Sequence, residues 1–263
     1  MTGSEPSLWQ IDISHYSEKA RWALAYKNVE HKRHSPLPGT HIPVAMWLTR
    51  GSQQTFPVLV MDGRKIGDST AIIAALEQRY PEPPLYPADP GQRRRALELE
   101  DFFDEELGPH MRLTAFNALI GDPDRFAEIA SATLPKPLGR AKGVAGAYAR
   151  FYTSTRFGAN DDEAAERARE KVRAALDRLD SELASAEGDY LVGDAFSVAD
   201  LTAAALFYPL VGPDEGPTPG STMPDSFEAF REPLRERPGY LWVEEMFRRH
   251  RLPAKSAAGT AAG

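Results

Sequence analysis

Leu8-Trp-Gln-Ile-Asp-Ile-Ser-His-Tyr-Ser-Glu-Lys-Ala-Arg-Trp-Ala-Leu24 changes its hydrophobic period half-way along. Trp9, Ile11 and Ile13 alternate with polar neighbours, which predicts a strand carrying those three on one face. From Ser14 to about Asn28 the spacing turns helical, with Ala20, Ala23, Leu24 and Lys27 along one side. A strand running directly into a helix is how a βαβ unit begins. Glu18 places a carboxylate in the first turn, where the helix dipole favours negative charge.

The chain downstream continues this pattern. His31–His34 is a polar stretch suited to an edge strand. Phe56-Pro-Val-Leu-Val-Met61 is rich in β formers, Asp62-Gly63 is a hairpin turn signal, and Lys65-Ile66 is the returning strand. A helix is expected from Ser69, with Ile72, Ile73, Leu76 and Tyr80 at helical spacing, until Pro81 stops it. The order is βαβ, a variable segment over 36–54, then ββα. Between Tyr80 and Pro90, five prolines in eleven residues predict a stiff, extended linker.

Beyond it the composition turns to helix formers. One long helix is expected from Arg93 to about Asn117, with Leu97, Leu99, Phe102, Phe103, Leu107 and Met111 as its apolar positions. Residues 118–158 are poorly periodic and read as short helices and loops. Asp161–Ala186 is amphipathic, with Val172, Leu176, Leu179 and Leu183 facing inward. The Ala- and Gly-rich tail over 253–263 reads as disordered. The domains are thus expected at 7–83, an α/β unit, and 91–252, an all-α bundle.

Composition narrows the chemistry. The 263 residues contain no cysteine, so disulfides, thiolate metal sites and cysteine nucleophiles are excluded, and any thiol chemistry needs a thiol supplied by a ligand. The net charge of −7 argues against nucleic acid as partner. That charge is uneven: residues 1–87 carry 9 Lys/Arg against 8 Asp/Glu, the remainder 22 against 30, so the first half can accept a small anion. No apolar run approaches the ~20 residues that span a bilayer, and the N-terminus lacks signal-peptide features, so a cytoplasmic protein without membrane contact is expected. The six histidines show neither HxxxH nor HxH spacing, and no metal site is expected.

Four motifs carry a resemblance to the glutathione transferase superfamily over roughly residues 8–250. Ser14-His-Tyr-Ser-Glu-Lys-Ala-Arg-Trp-Ala-Leu24 is similar to the family's first loop and helix, at the place of the glutaredoxin Cys-Pro-Tyr-Cys motif, with serine for both cysteines. Thr55-Phe-Pro-Val-Leu59 resembles the cis-proline segment of thioredoxin folds. Gly67-Asp-Ser-Thr-Ala-Ile72 resembles the acidic–serine pair that holds the γ-glutamyl end of glutathione. Leu191-Val-Gly-Asp-Ala-Phe-Ser-Val-Ala-Asp-Leu201 resembles the capping-box motif of the helical domain. The resemblance implies a thioredoxin-like N-terminal domain followed by an all-helical C-terminal domain, glutathione as co-substrate, a small electrophile as second substrate, a homodimer and a cytoplasmic location. It implies a transferase that adds the glutathione thiolate to the electrophile. A glutathione-dependent isomerase or dehalogenase and a non-catalytic binding protein are the alternatives.

Each site residue also has a physical reading. Ser14 lies where strand gives way to helix, so its hydroxyl and the first free N–H groups converge on one point. A thiolate there gains a hydrogen bond and the positive helix end, both of which lower a thiol pKa. A plain N-cap is the alternative for Ser14 or Ser17. Ser17, the second serine of the motif, is also expected among the glutathione-binding residues, although it lies a turn into the helix, where a side chain tends to be covered. A cis bond at Pro57 would turn the backbone of Phe56 toward a ligand; a trans proline opening an edge strand is the alternative. Ser69 and Thr70 open a helix and offer hydroxyls and N–H groups to a carboxylate, while Asp68 suits an ammonium group. Ser197 and Asp200 read as structural capping, each contributing about 1 kcal/mol. His15 reads as a ligand contact or as a solvent-exposed loop residue, and Phe116, Tyr148, Phe151 and Tyr152 suit either core or a co-substrate pocket.

Overall fold

The computed structural model describes residues 5–36, 40–132, 142–217 and 222–251. β1 (Ser7–Trp9), α1 (His15–Tyr26), β2 (Lys32–His34), α2 (His41–Thr49), β3 (Val58–Met61), β4 (Arg64–Gly67) and α3 (Ser69–Arg79) succeed one another along the first part of the chain. The sheet order is β2-β1-β3-β4, with β1 parallel to β2 and antiparallel to β3, and β3 antiparallel to β4. Met61 pairs with Arg64 across Asp62 (φ +50°) and Gly63 (φ +75°), the double positive φ that a two-residue hairpin requires.

Alternation decides what each face of the sheet meets. Leu8 and Leu59, paired across β1 and β3, are buried among Ala20, Ala23 and Leu24 of α1 and Ile72, Ile73 and Leu76 of α3. Trp9 and Val58, the next pair, face a second cluster with Ala45 and Leu48 of α2 and Phe56. The strand is shorter than its alternation suggests. It ends at Trp9, and Ile11 and Ile13 lie in the loop before α1 although Ile11 still packs on the α2 side.

The rest of the described chain is helical: α4 (Pro90–Phe102), α5 (Gly108–Gly121), α6 (Pro123–Ala132), α7 (Lys142–Phe157), α8 (Asp162–Ser185), α9 (Val198–Val211), α10 (Asp225–Arg231) and α11 (Pro238–His250). α9 is apolar nearly all round and packs against α1, α4, α5 and α11, so one core runs through both halves. Trp22 of α1 is fully buried there, 4.4 Å from the Phe247 ring, with Nε1 donating to the His250 carbonyl.

Two segments differ from the sequence reading. The expected single helix over 93–117 is interrupted by a π-helical turn at Phe103–Leu107. There the Gly108 N–H donates to the Phe103 carbonyl, and Pro109 has no N–H to offer. The Asp104 carbonyl, left without a backbone donor, accepts instead from the Tyr16 hydroxyl of α1 at 2.9 Å. The proline-rich linker is pinned rather than a free spacer. Leu85 is fully buried, its N–H donates to Glu77 Oε1, and its carbonyl accepts from the Val198 N–H. Lys27 Nζ donates to the Tyr80 and Pro83 carbonyls. The tail at 253–263 lies outside the described residues.

The capping segment before α9 binds more than its first turn. Asp200 is fully buried, and its carboxylate accepts from the Leu191 N–H, the Ser197 N–H and the Ser197 hydroxyl. Burial pushes this carboxyl up to about 6, against the pull of those donors. Removing it strands two buried N–H groups, each costing about 1–3 kcal/mol, so Asp200 exceeds the contribution of an ordinary cap. Asp200→Ala is expected to lose about 2–4 kcal/mol in urea unfolding near pH 7. The folded pKa lies above the unfolded one, so this group's contribution is full below the unfolded value and fades as pH rises through about 6. The deficit of the variant should therefore widen at about pH 5; a deficit that shrinks there contradicts the burial argument.

Candidate active site

A cavity of about 670 Å³ opens between the sheet half and the helices. Ser14 is the N-cap of α1 and lines it, its Oγ accepting from the Ser17 N–H at 3.3 Å. The loop that presents Ser14 is held from beneath. Ile11 N–H donates to Ser17 Oγ, Arg21 donates to the Asp12 carbonyl, and the Tyr208 hydroxyl of α9 donates to the Ile13 carbonyl at 2.5 Å. Ser17 is completely buried in that support and does not reach the cavity.

Across from Ser14, the Phe56–Pro57 bond is cis. The ladder between β1 and β3 begins at Val58, and the Phe56 side chain is buried with α2, so its main chain is what it offers to the cavity. Asp68, the N-cap of α3, is exposed with φ +76° and ψ 134°, and one carboxylate oxygen accepts from the Ala71 N–H at 3.1 Å. Ser69 is buried at the cavity wall. Two helix N-termini, those of α1 and α3, thus open on the same space.

The charges beneath this wall are fixed by packing between the halves. Lys19 Nζ, fully buried, lies 2.9 Å from Thr70 Oγ1, 2.8 Å from Glu100 Oε1 and 2.5 Å from Asp104 Oδ2. The Thr70 hydroxyl is committed to that cluster, which leaves its N–H for a ligand. Burial raises the Glu100 carboxyl above its usual range, outweighing the ammonium beside it. His15 is buried too; burial first, then the Arg112 charge, lower its pKa to about 3. Its ring is neutral at physiological pH, with Nε2–H donating to the Gly108 carbonyl. Burial also raises the Tyr16 hydroxyl, and a side chain at Gly108 would meet Tyr16 Oη at 2.1 Å. The far wall is apolar, with Phe116, Leu119, Phe126, Tyr152 and Phe157.

Comparison with known proteins meets the same architecture. Residues 8–84 match the model of the glutathione S-transferase N-terminal domain, and residues 133–238 that of the glutathione S-transferase C-terminal domain. The chain belongs to the glutathione S-transferase superfamily. Among its relatives is maleylacetoacetate isomerase of Dictyostelium discoideum, 23% identical over 211 residues that cover 79% of this chain and 80% of the relative. A probable maleylacetoacetate isomerase of Caenorhabditis elegans is 26% identical over 208 residues, with coverage of 79% and 80%. The theta class glutathione S-transferase of Xanthomonas axonopodis pv. citri, solved with glutathione bound, shares the fold at a TM-score of 0.57 and 19% identity, covering 96% of this chain and 99% of that one. This transferase-family chain is a glutathione-dependent enzyme, with glutathione as its co-substrate.

Against the sequence reading, the cavity of this glutathione S-transferase gathers Ser14, Phe56, Pro57, Asp68, Ser69 and Thr70, and leaves out Ser17. It adds His41, Gln53 and Arg112, which sequence reasoning missed. Gln53 packs so closely over Gly67 that a Cβ there would lie 2.3 Å from its Cγ, and this glycine was the only local sign of it. Of the four aromatics, Phe116 and Tyr152 line the cavity, Phe151 is exposed, and the Tyr148 side chain lies outside the described residues. Asp68 sits in a backbone region that costs a non-glycine residue about 1–3 kcal/mol and persists where function demands it. Glycine at a cap position costs only a few tenths of a kcal/mol relative to aspartate, roughly. Asp68→Gly is therefore expected to raise stability by about 0.5–1 kcal/mol while weakening glutathione at least about tenfold, through the lost charged contact. Thermal unfolding and calorimetry check the pair of effects, and unchanged affinity would remove Asp68 from the binding site.

Proposed function

We propose that this enzyme adds the sulfur of glutathione to a small conjugated electrophile, with Ser14 holding the thiolate. The observation that carries this reading is the position of Ser14. A hydroxyl on the positive end of α1 faces the cavity beside a cis-proline backbone, in a chain with no sulfur nucleophile of its own. The roles of the other residues follow from their chemistry. The Phe56 N–H and carbonyl suit the cysteinyl backbone of glutathione as an added strand. Asp68 meets the α-ammonium group, and Ser69 with the Thr70 N–H meets the α-carboxylate at the start of α3. Tyr208 and Ser17 serve by holding the loop that aims Ser14. The apolar wall holds the electrophile, so the rate gain comes from proximity to a thiolate already formed.

A hydrogen bond to a charged group is worth about 1.5–3 kcal/mol. Ser14→Ala is expected to lower kcat/KM about tenfold to a hundredfold, with glutathione still bound and its thiol titrating at higher pH by thiolate absorbance. Full activity in that variant would remove Ser14 from the mechanism.

The named isomerase relatives favour a second reading of the same first step. Thiolate adds to one carbon of a conjugated double bond, the bond rotates as a single bond, and the thiolate leaves again. The two readings separate on glutathione itself, which is consumed mole for mole in transfer and regenerated in isomerisation. Quantifying free thiol after complete turnover of a cis-configured unsaturated diketo acid distinguishes them, and undiminished thiol is the expected result for the isomerase. The same proposal places the enzyme in the cytoplasm and makes it a homodimer, both supported by family resemblance. No helix among the described residues is long and apolar enough to cross a membrane.

A further inference from the structure

The helical end of the cavity holds a cation without a counter-ion. Arg112 of α5 lines the cavity, its Nε is shut off from solvent without a hydrogen-bond partner, and its guanidinium lies 4.3 Å from the Phe157 ring centroid. The ionisable groups that bear on it are Tyr16, Arg156 and Tyr152, none of them a carboxylate. Arg156, also turned to the Phe157 ring at 5.5 Å, adds positive charge behind it. Neither arginine has an Asp or Glu oxygen within 4.0 Å. Every Asp and Glu of the chain lies within the described residues, so no acidic side chain elsewhere supplies the missing charge.

The carboxylates at the cavity, Asp68, Asp101, Asp104 and Glu105, lie at the start of α3, on α4 and in the π turn, and none of them forms an ion pair with Arg112. The cavity thus holds acidic groups at the start of α3 and in the π turn, together with an unpaired guanidinium against the Phe157 ring. A half-buried guanidinium left unpaired is costly, and its planar fork matches a carboxylate bidentately. Aromatic walls around it suit a flat, conjugated body.

We infer that Arg112 is a specificity-determining residue that binds an anionic group, a carboxylate on the electrophile, and that the second substrate is an unsaturated or aromatic acid. This rests on the proposed thiol-addition reading. Arg156 raises the local potential without entering the cavity.

The test uses two aryl chlorides that differ only in charge, 4-chloro-3-nitrobenzoate and 4-chloro-3-nitrobenzamide. In both, the glutathione thiolate attacks the carbon bearing chlorine, the C–S bond forms, the C–Cl bond breaks and chloride leaves. The parent is expected to favour the benzoate in kcat/KM by at least about tenfold, mostly through KM. In Arg112→Leu the benzoate-to-amide ratio should fall to near one, and Arg112→Lys should recover part of it. If Arg112→Leu does not fold, the parent's own affinities for the two glutathione conjugates decide by calorimetry, the carboxylate conjugate being expected to bind more tightly by a similar factor. Equal values for acid and amide in the parent overturn the inference. So do equal losses on both substrates with a bound thiol titrating higher, which would assign Arg112 to the sulfur. A parent that fails to bind glutathione at all sinks the thiol-addition reading first, and a parent that binds it without preferring the acid sinks only this one.

Discussion

A buried ammonium group sets the geometry on which the site depends. Lys19 Nζ is out of water and finds its three partners on different elements: Thr70 at the start of α3, Glu100 on α4 and Asp104 in the π turn. Such a cluster is weak evidence for net stability, because desolvating the charges consumes most of what their attraction returns. Its strength lies in what it forbids. Sliding α1 along α3, or tilting α4 away, would leave a bare charge in an apolar interior, a change worth several kcal/mol or roughly 3–5 for one lost partner. Ser14 and Asp68 cap the two helices so fixed, and their spacing across the cavity is inherited from that lock. Glu18, one residue earlier, does the same on the other side of α1. It is fully buried; burial would raise its carboxyl, but Arg21 and Arg251 hold it below the usual range. The sequence reading gave this carboxylate to the helix dipole. Its partner from the end of the described chain, 233 residues away, could not be seen from a window of a few residues.

What the sequence revealed was local chemistry. The alternation around Leu8, the Asp62-Gly63 turn and the stop at Pro81 each depend on residues within a few positions of one another, and the structure forms elements at each place. The shortness of β1, the π turn and the anchored Leu85 are decisions made by distant neighbours. β1 ends because, past the Gln10 N–H bonded to the His34 carbonyl, Ile11, Asp12 and Ile13 are drawn toward Ser17, Arg21 and Tyr208 instead of the ladder. Leu97 to Met111 keeps a helical hydrophobic pattern straight through the π turn, so periodicity had no means of reporting it. A Gly-Pro pair at 108–109 was its only trace.

The site divides along the same line. Ser14, Phe56, Pro57 and the Asp68–Thr70 segment advertise themselves because caps and proline bonds have short sequence signatures. Arg112 has none. One arginine among 23 becomes noteworthy only when no carboxylate is found paired with it in a cavity that it lines, which is a property of the whole fold.

The π turn bears on how such an enzyme can be assembled from parts. Its freed Asp104 carbonyl is read by Tyr16, the Gly108 carbonyl by His15, and the missing side chain at Gly108 makes room for the Tyr16 ring. These are main-chain features of one half recognised by side chains of the other, a lock and key internal to the chain. A thioredoxin-type unit with a different residue at 16, grafted onto this helical bundle, would bury an unanswered carbonyl. The two halves are therefore not interchangeable modules, and recombination between paralogues would be tolerated only where tyrosine and the Gly-Pro break travel together.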